Sequence, residues 1–337
     1  MEPVRVALDV MGGDNAPVEP VKGAIDALKK EDRLHVILVG DETEIQKILK
    51  ETDGAEEVKD RYEILPSTEV IETAEHPVQA ITHKKNSSMV LAMKAVKEGK
   101  ADAFVSAGNS GAVLVGGQTL IGRIRGVKRA PFAPLIPTEK GPKLLLDSGA
   151  SVDAKPEYLV QYARMGSIYM KGVLGMKNPR VAIVNIGAEE EKGNQLVKET
   201  FPLLKECTDI NFIGSIEARE IPSGYADVIV CDAFVGNIIL KLFEGVGKTF
   251  MKLMKEAFLS NFRSKIGALL VMPALKSKLK TFDVKQYGGA PMLGLKGLVV
   301  KTHGSAKANE FSNTLRQCLT FHDQKIGEMI EEALKAR

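Results

Sequence analysis

The chain alternates between two hydrophobic periods. Short runs of consecutive β-branched and aliphatic residues read as strands at Val4–Asp9, 34–39, 62–65, 103–105, 144–147, 181–185, 211–213 and 227–231. Most of these runs are continuously apolar rather than alternating, as strands covered on both faces should be. Between them, apolar residues return at helical spacing over 17–30, Glu42–Glu51, 87–98, 156–171 and 193–206. This alternation predicts an α/β fold built on a Rossmann-like, doubly wound, mostly parallel sheet. No Pro/Gly/Ser-rich linker divides the chain, so 1–337 is expected to form a single α/β catalytic domain.

The segment 235–282 departs from that rhythm. It reads as two longer helices, 235–259 and 263–282, joined by a short connection: an αα-hairpin projecting from the sheet. Residues 239–280 hold nine Lys/Arg against two acids, Glu244 and Glu256, so they carry +7 in a chain whose net charge is +3. Around the joint, Phe258, Phe262, Leu269 and Leu270 stand beside Lys255, Arg263 and Lys265. Such a surface suits an acidic protein partner or an anionic membrane. The plainer alternative is a helical dimer interface with solvated lysines.

Composition narrows the classes. At 337 residues and 44% hydrophobic, the chain can bury a sizeable core. The absence of Trp, the low aromatic content and the small net charge argue against a nucleic-acid partner. Cys207, Cys231 and Cys318 are far apart and lack metal-site or disulfide spacing, which suits a reducing cytoplasm. MEPVRVALDV has no signal-peptide layout, and the longest apolar run, 266–275, is about half of what a membrane-spanning helix needs. The expectation is a cytoplasmic protein that touches the inner face of the membrane peripherally.

In open parallel sheets ligands bind beyond the carboxyl ends of the strands. Six turns at that position are rich in Gly, Ser, Asn and Asp: Asp9 to Asn15, Ser106 to Ala112, Asp147 to Ala150, Asn185 to Asn194, Asp232 to Asn237, and His303 to Ala306. Any one of them could be an ordinary cap or turn. Together they favour a polar, anion-binding cleft, because glycines admit close backbone approach and helix N-termini offer N–H donors. There is no GxxxxGK[ST], no GxGxxG after the first strand, no GxSxG and no HExxH, so no metal or other cofactor is expected. No activated Ser or Cys is evident, which fits a reaction whose nucleophile is the substrate, such as inorganic phosphate. Lys192 and His303 are cationic candidates at these turns, with Lys84 and Lys85 just ahead of Asn86-Ser87-Ser88. Each could equally be a solvated or capping residue.

The stretches VRVALDVMGGDNAP, KKNSSM, SAGNSGA, LLLDSGA, DAKPEYLVQYA, NIGAEEEKGN, CDAFVGN, YGGAPMLGLKG and KTHGSA, from residue 4 to about 306, resemble the phosphate acyltransferase family of bacterial phospholipid synthesis. The resemblance implies a homodimer that transfers a long-chain acyl group from acyl carrier protein to inorganic phosphate, upstream of a glycerol-3-phosphate acyltransferase. It also implies a fold similar to phosphotransacetylases and, more remotely, to isocitrate and isopropylmalate dehydrogenases. The late loop of phosphotransacetylases contributes polar groups around phosphate and thioester, which adds Ser305 and Asn309 to the candidates; an arginine is usual there where this chain has His303. Lys192, His303, Asp232 and Asn237 are then the expected catalytic residues, with Asp232 an orienting carboxylate. Asp9, Gly12, Gly13, Asp14, Asn109, Ser110, Gly111, Ser148, Asn194, Ser305 and Asn309 are the expected phosphate or acyl ligands. A short-chain phosphotransacetylase using coenzyme A and a non-catalytic membrane-docking scaffold remain the alternatives. The missing dinucleotide fingerprint argues against a dehydrogenase.

Overall fold

A computed structural model describes residues 2–280 and 284–335. The strands are β1 (Val4–Asp9), β2 (Leu34–Gly40), β3 (Tyr62–Pro66), β4 (Ala103–Ser106), β5 (Leu135–Ile136), β6 (Lys143–Leu146), β7 (Arg180–Asn185), β8 (Asn211–Glu217), β9 (Val228–Val230), β10 (Ala290–Met292) and β11 (Leu298–Lys301). They fall into two sheets, not the one sheet expected, and the chain divides into two compact units. The first unit comprises Met1–Pro134, Ile168–Lys177 and Lys285–Arg337; the second comprises Leu135–Ser167 and Asn178–Val284.

The first unit's sheet runs β10-β11-β4-β1-β2-β3, parallel throughout except for the antiparallel β10. Val4, Val6 and Leu8 face one core with Val21, Leu28, Phe311 and Leu315 from the helices Val18–Lys30 and Ala308–Asp323. Ala7 and Phe104 are equally buried on the other face. Burial on both faces explains why these strands read as unbroken apolar runs. The two helices approach closely at Gly23, where a Cβ would stand 2.5 Å from the Phe311 Cβ.

The second unit's sheet runs β5-β6-β9-β7-β8, with β5 antiparallel. Ile136, Leu145, Ala182, Ile229 and Ile239 share its core. The hairpin belongs to this unit, as helices Ala233–Leu259 and Phe262–Lys280; the expected end at 282 lies outside the described residues. Only its base is anchored: Ala233, Gly236 and Ile239 are buried, whereas no described side chain from 244 to 279 is. Among the described residues no helix is long and apolar enough to cross a membrane.

Every strand expected from the sequence forms, with ends shifted by a few residues. The additional strands β5, β10 and β11 have two to four residues, too few to establish a period. The helices Pro77–His83 and Ser110–Gly116 are likewise short.

Candidate active site

In the first unit three of the predicted turns meet at one rim. They follow the carboxyl ends of β1, β4 and β11, three adjacent strands. The amide of Asp14 donates to the Gly304 carbonyl at 2.8 Å, and the Asn15 side chain donates to the carbonyls of Ser305 (3.1 Å) and Ala306 (3.2 Å). Gly12 packs against the next turn: a Cβ there would stand 2.6 Å from Asp9 Oδ2 and 2.8 Å from the Gly108 nitrogen. Gly13 has φ +104°, and its Cβ would meet Ala107 Cβ at 2.7 Å. Both positions therefore require glycine. Lys301 ties the turns from beneath, its ammonium donating to the carbonyls of Ala107 (3.1 Å) and Thr302.

Asp9 lies under this rim rather than on it, 1% exposed. The hydroxyls of Ser88 and Ser106 donate to its two carboxylate oxygens at 2.6 and 2.7 Å, and the Met11 amide donates at 3.2 Å. Ser106 Oγ in turn accepts from the Gly108 amide at 2.9 Å. Burial pushes the Asp9 carboxyl above its ordinary range, against the hydroxyl and amide donors and the nearby Lys301, which favour its charge. Asp9 thus joins β1, the turn after β4 and the start of the helix Ser88–Lys97 into one rigid base.

Asn109, expected as a ligand, is also spent on structure. Its Oδ1 caps the next helix through the Ala112 amide at 2.9 Å, and its Nδ2 donates to the carbonyls of Glu72, Thr73 and Glu75 at 3.0–3.3 Å. The same segment is held by Lys84, which pairs with Glu75 at 2.5 Å and donates to the Val70 carbonyl. That pairing holds the Glu75 carboxyl below its usual value. Asp14, Ser110, His303, Ser305 and Asn309 remain exposed, and Gly111 half-buried. His303 Nδ1 accepts from the Ser305 amide at 3.2 Å and stands 2.9 Å from Ser305 Oγ, an arrangement that places the ring proton of neutral His303 on Nε2.

The other three turns follow β6, β7 and β9 of the second unit. The turn after β6 encloses Asp147, which accepts from the amides of Gly149, Ala150 and Ser151 at 2.9–3.2 Å. Asp232 caps the first hairpin helix through the amides of Phe234 (2.8 Å) and Val235 (3.0 Å), and the Ala233 amide reaches the Ser151 carbonyl at 3.0 Å. Ser148 is buried beside these turns, and Asn237 is exposed one turn into the helix. Gly236 admits no side chain, since a Cβ would overlap the Asp147 carbonyl. After β7, Asn194 caps Gln195–Lys205 through the Val197 amide at 2.9 Å. Lys192 is half-exposed and paired with Glu189 at 2.8 Å, a partner that raises its pKa.

On the hairpin, Lys255, Phe262, Arg263, Lys265, Leu269 and Leu270 are exposed and Phe258 is half-buried. The ion pairs Lys241–Glu244 and Lys252–Glu256 use both acids of the basic segment.

A family of fatty acid synthesis proteins matches residues 4–329. The phosphate acyltransferase of Alkaliphilus oremlandii is 49% identical over 333 residues, spanning 99% of this chain and 98% of that one. The phosphate acyltransferase of Clostridium botulinum strain Loch Maree is 48% identical over 329 residues, 98% and 97% of the two chains. The chain belongs to this phosphate acyltransferase family.

Among solved structures, a phosphotransacetylase from Streptococcus pyogenes matches with TM-score 0.61 at 17% identity, over 95% of this chain and 94% of that one. EutD phosphotransacetylase from Staphylococcus aureus matches with TM-score 0.58 at 18% identity, over 94% of each. At those identities the likeness is one of fold. Acyl transfer is the reaction class that family membership gives this chain. The first unit's rim is built on three residues that the sequence did not single out as site residues: Ser88, Ser106 and Lys301. The first two stand inside KKNSSM and SAGNSGA, and the third opens KTHGSA. Their motifs were visible; that two of them converge on Asp9 was not.

Proposed function

We propose that this phosphate acyltransferase takes a long-chain acyl group from acyl carrier protein and delivers it to inorganic phosphate, giving acyl phosphate for phospholipid synthesis. A phosphate oxygen attacks the thioester carbonyl carbon, forming a C–O bond and a tetrahedral oxyanion. Collapse breaks the C–S bond, and the carrier leaves as a thiolate that takes a proton from water. The protein's task is to hold phosphate against the carbonyl and to stabilise the oxyanion with prepositioned donors.

The observation that carries this reading is the rim over Asp9, where the Gly12-Gly13 turn, the Asn109 turn and the His303–Ser305 loop are held together. Among the described residues, the amides of Gly12 and Gly13 have no acceptor. They supply neutral donors, and Ser305, whose amide and hydroxyl both face His303 Nδ1, holds the imidazole at the same rim. Asp14, Ser110, Gly111 and Asn309 border the same turns. Asp9 and Asn109 act by positioning. In the second unit Asn237 and Ser148 are stronger candidates than Lys192, Asn194 and Asp232, whose side chains are engaged in a pair or a cap.

The hairpin supports acyl carrier protein as the donor. Its +7 segment and exposed apolar joint suit an acidic carrier protein and an anionic lipid surface, so the enzyme works at the inner face of the membrane. Its half-anchored helices are the surface proposed for homodimer formation. Acyl phosphate is a reactive mixed anhydride, which a glycerol-3-phosphate acyltransferase would consume.

The test is turnover of palmitoyl-carrier thioester with phosphate, acyl phosphate being trapped with hydroxylamine. His303→Ala should lower turnover at least tenfold without changing the melting temperature. Equal turnover of acetyl-coenzyme A would instead favour a short-chain enzyme. Phosphate-independent loss of the thioester would overturn the reading.

A further inference from the structure

The first unit has a cavity of about 640 Å³ at the edge opposite its catalytic turns. It opens at the amino ends of β4 and β11, where Ala103 and Leu298 are register partners. The carboxyl ends of the same two strands carry Ser106 and Lys301, roughly 10 Å away at about 3.3 Å per residue. The volume lies in the range that takes a small organic ligand.

The cavity is two-sided in chemistry. Its floor is apolar: Val96, Ala103, Ile124, Leu298, Phe321 and Ile326 line it. Its rim is charged, and two of the three acids that line it, Glu328 and Glu331, have cationic partners. Asp102 accepts from the Arg5 amide at 2.8 Å, Glu328 pairs with Lys325 at 3.4 Å, and Glu331 pairs with Lys335 at 2.6 Å. Arg125 and Lys296, which line the same cavity, have no hydrogen-bond or ion-pair partner for their side chains among the described residues. His322 also lines it. Against the one carboxylate of Asp102, these two cations leave the rim net positive over an apolar floor, which complements one kind of molecule, an anionic head on an apolar tail.

We propose that this cavity binds an anionic amphiphile, with Arg125 and Lys296 holding the head and the apolar floor taking the tail. A fatty carboxylate and an alkyl phosphate share that chemistry. The site is separate from the catalytic rim and does not depend on the identity of the acyl donor.

The experiment is calorimetric titration of the full-length protein with decanoate, decyl phosphate and 1-decanol, each below its aggregation limit. Saturable binding of both anions, each at least tenfold tighter than decanol, is expected. Arg125→Glu/Lys296→Glu should weaken both anions at least tenfold and leave decanol unchanged. Gly327, in the helix Ile326–Lys335, also lines the cavity, and a Cβ there meets nothing within 4 Å. Gly327→Leu should therefore plug the cavity without strain and weaken both anions, so the test survives if the charge-reversed variant folds poorly. Tighter binding of decyl phosphate would name a phosphate ester as the ligand, and tighter binding of decanoate a carboxylate. Absence of saturable binding, decanol bound as tightly as the anions, or unchanged affinities in Gly327→Leu would overturn the proposal. Leu269→Glu/Leu270→Glu, on the hairpin, should leave these affinities unchanged. Loss there would assign the binding to the hairpin and overturn the cavity.

Discussion

Gly13 shows what the site demands of a single residue. Its φ of +104° disfavours any L side chain, and Ala107 Cβ and the Gly304 carbonyl stand where a Cβ would go. Gly122, at φ +86°, has nothing within 4 Å of that position. With ψ 162° it lies in a backbone region that is essentially glycine's alone, so Gly122→Ala should cost only the backbone strain, about 1–3 kcal/mol. Gly13→Ala should cost more, about 2–4 kcal/mol once the clash is added, and should lower turnover at least tenfold. Thermal melts and phosphate-saturation kinetics on both variants check this; equal effects would mean that the Gly13 turn is not tightly packed. At this scale the sequence was readable in part. Glycines that need a positive φ stand out in it, but the task of a polar side chain does not. Asp9, Asn109, Asn194 and Asp232 all look like ligands, yet their oxygens serve neighbouring hydroxyls and orphan amides.

Elements of the second unit are tied by charge at the amino ends of their strands. Lys143 of β6, 3% exposed, pairs with Asp227 at 2.6 Å, and Arg180 of β7 pairs with the same carboxylate at 3.0 Å. Arg180 and Lys143 hold Asp227 down to about 2, overriding the opposing effect of burial. Asp227 is ionised in the native state when an unfolded aspartate, at about 3.9, is already protonating. Its stabilisation is therefore complete above about pH 4 and lost as pH falls from there through about 2. Asp227→Asn leaves a buried ammonium unpaired and should cost about 3–5 kcal/mol at neutral pH. The variant should also show a shallower fall in stability across that acid window than the wild type, as denaturant titrations at several pH values would show. The hairpin poses a different question. Phe262, Leu269 and Leu270 are 75–79% exposed beside lysines and arginines. Leu269→Glu/Leu270→Glu should abolish co-sedimentation with anionic vesicles, and raising salt should weaken the wild-type interaction. Unchanged sedimentation of the variant would argue against contact through the joint.

The whole molecule is assembled from sequence-distant pieces. The first unit draws on three segments, and β11, adjacent to β4, enters only after the second unit is complete. Phe311 and Leu315, from the C-terminal segment, are fully buried against the N-terminal strands and helix. A fragment ending at Pro134 should thus fail to fold. Its β4 would lack a neighbour, and its core would lie open where the helix Ala308–Asp323 belongs. Circular dichroism and amide dispersion of that fragment check the expectation; a cooperative thermal transition would refute it.

The sequence alone determined the class of fold, because burial on both faces leaves continuous apolar runs and because helices keep their own period. It also determined where charge gathers, since a basic segment is a property of composition. Its motifs led to the acyltransferase family. Tertiary structure decided that the strands form two sheets, since β-pairing joins residues far apart in the chain. It also decided which turns share a rim, because hydrogen-bond partners such as Ser88 and Ser106 on Asp9 are chosen by geometry between elements rather than by local pattern.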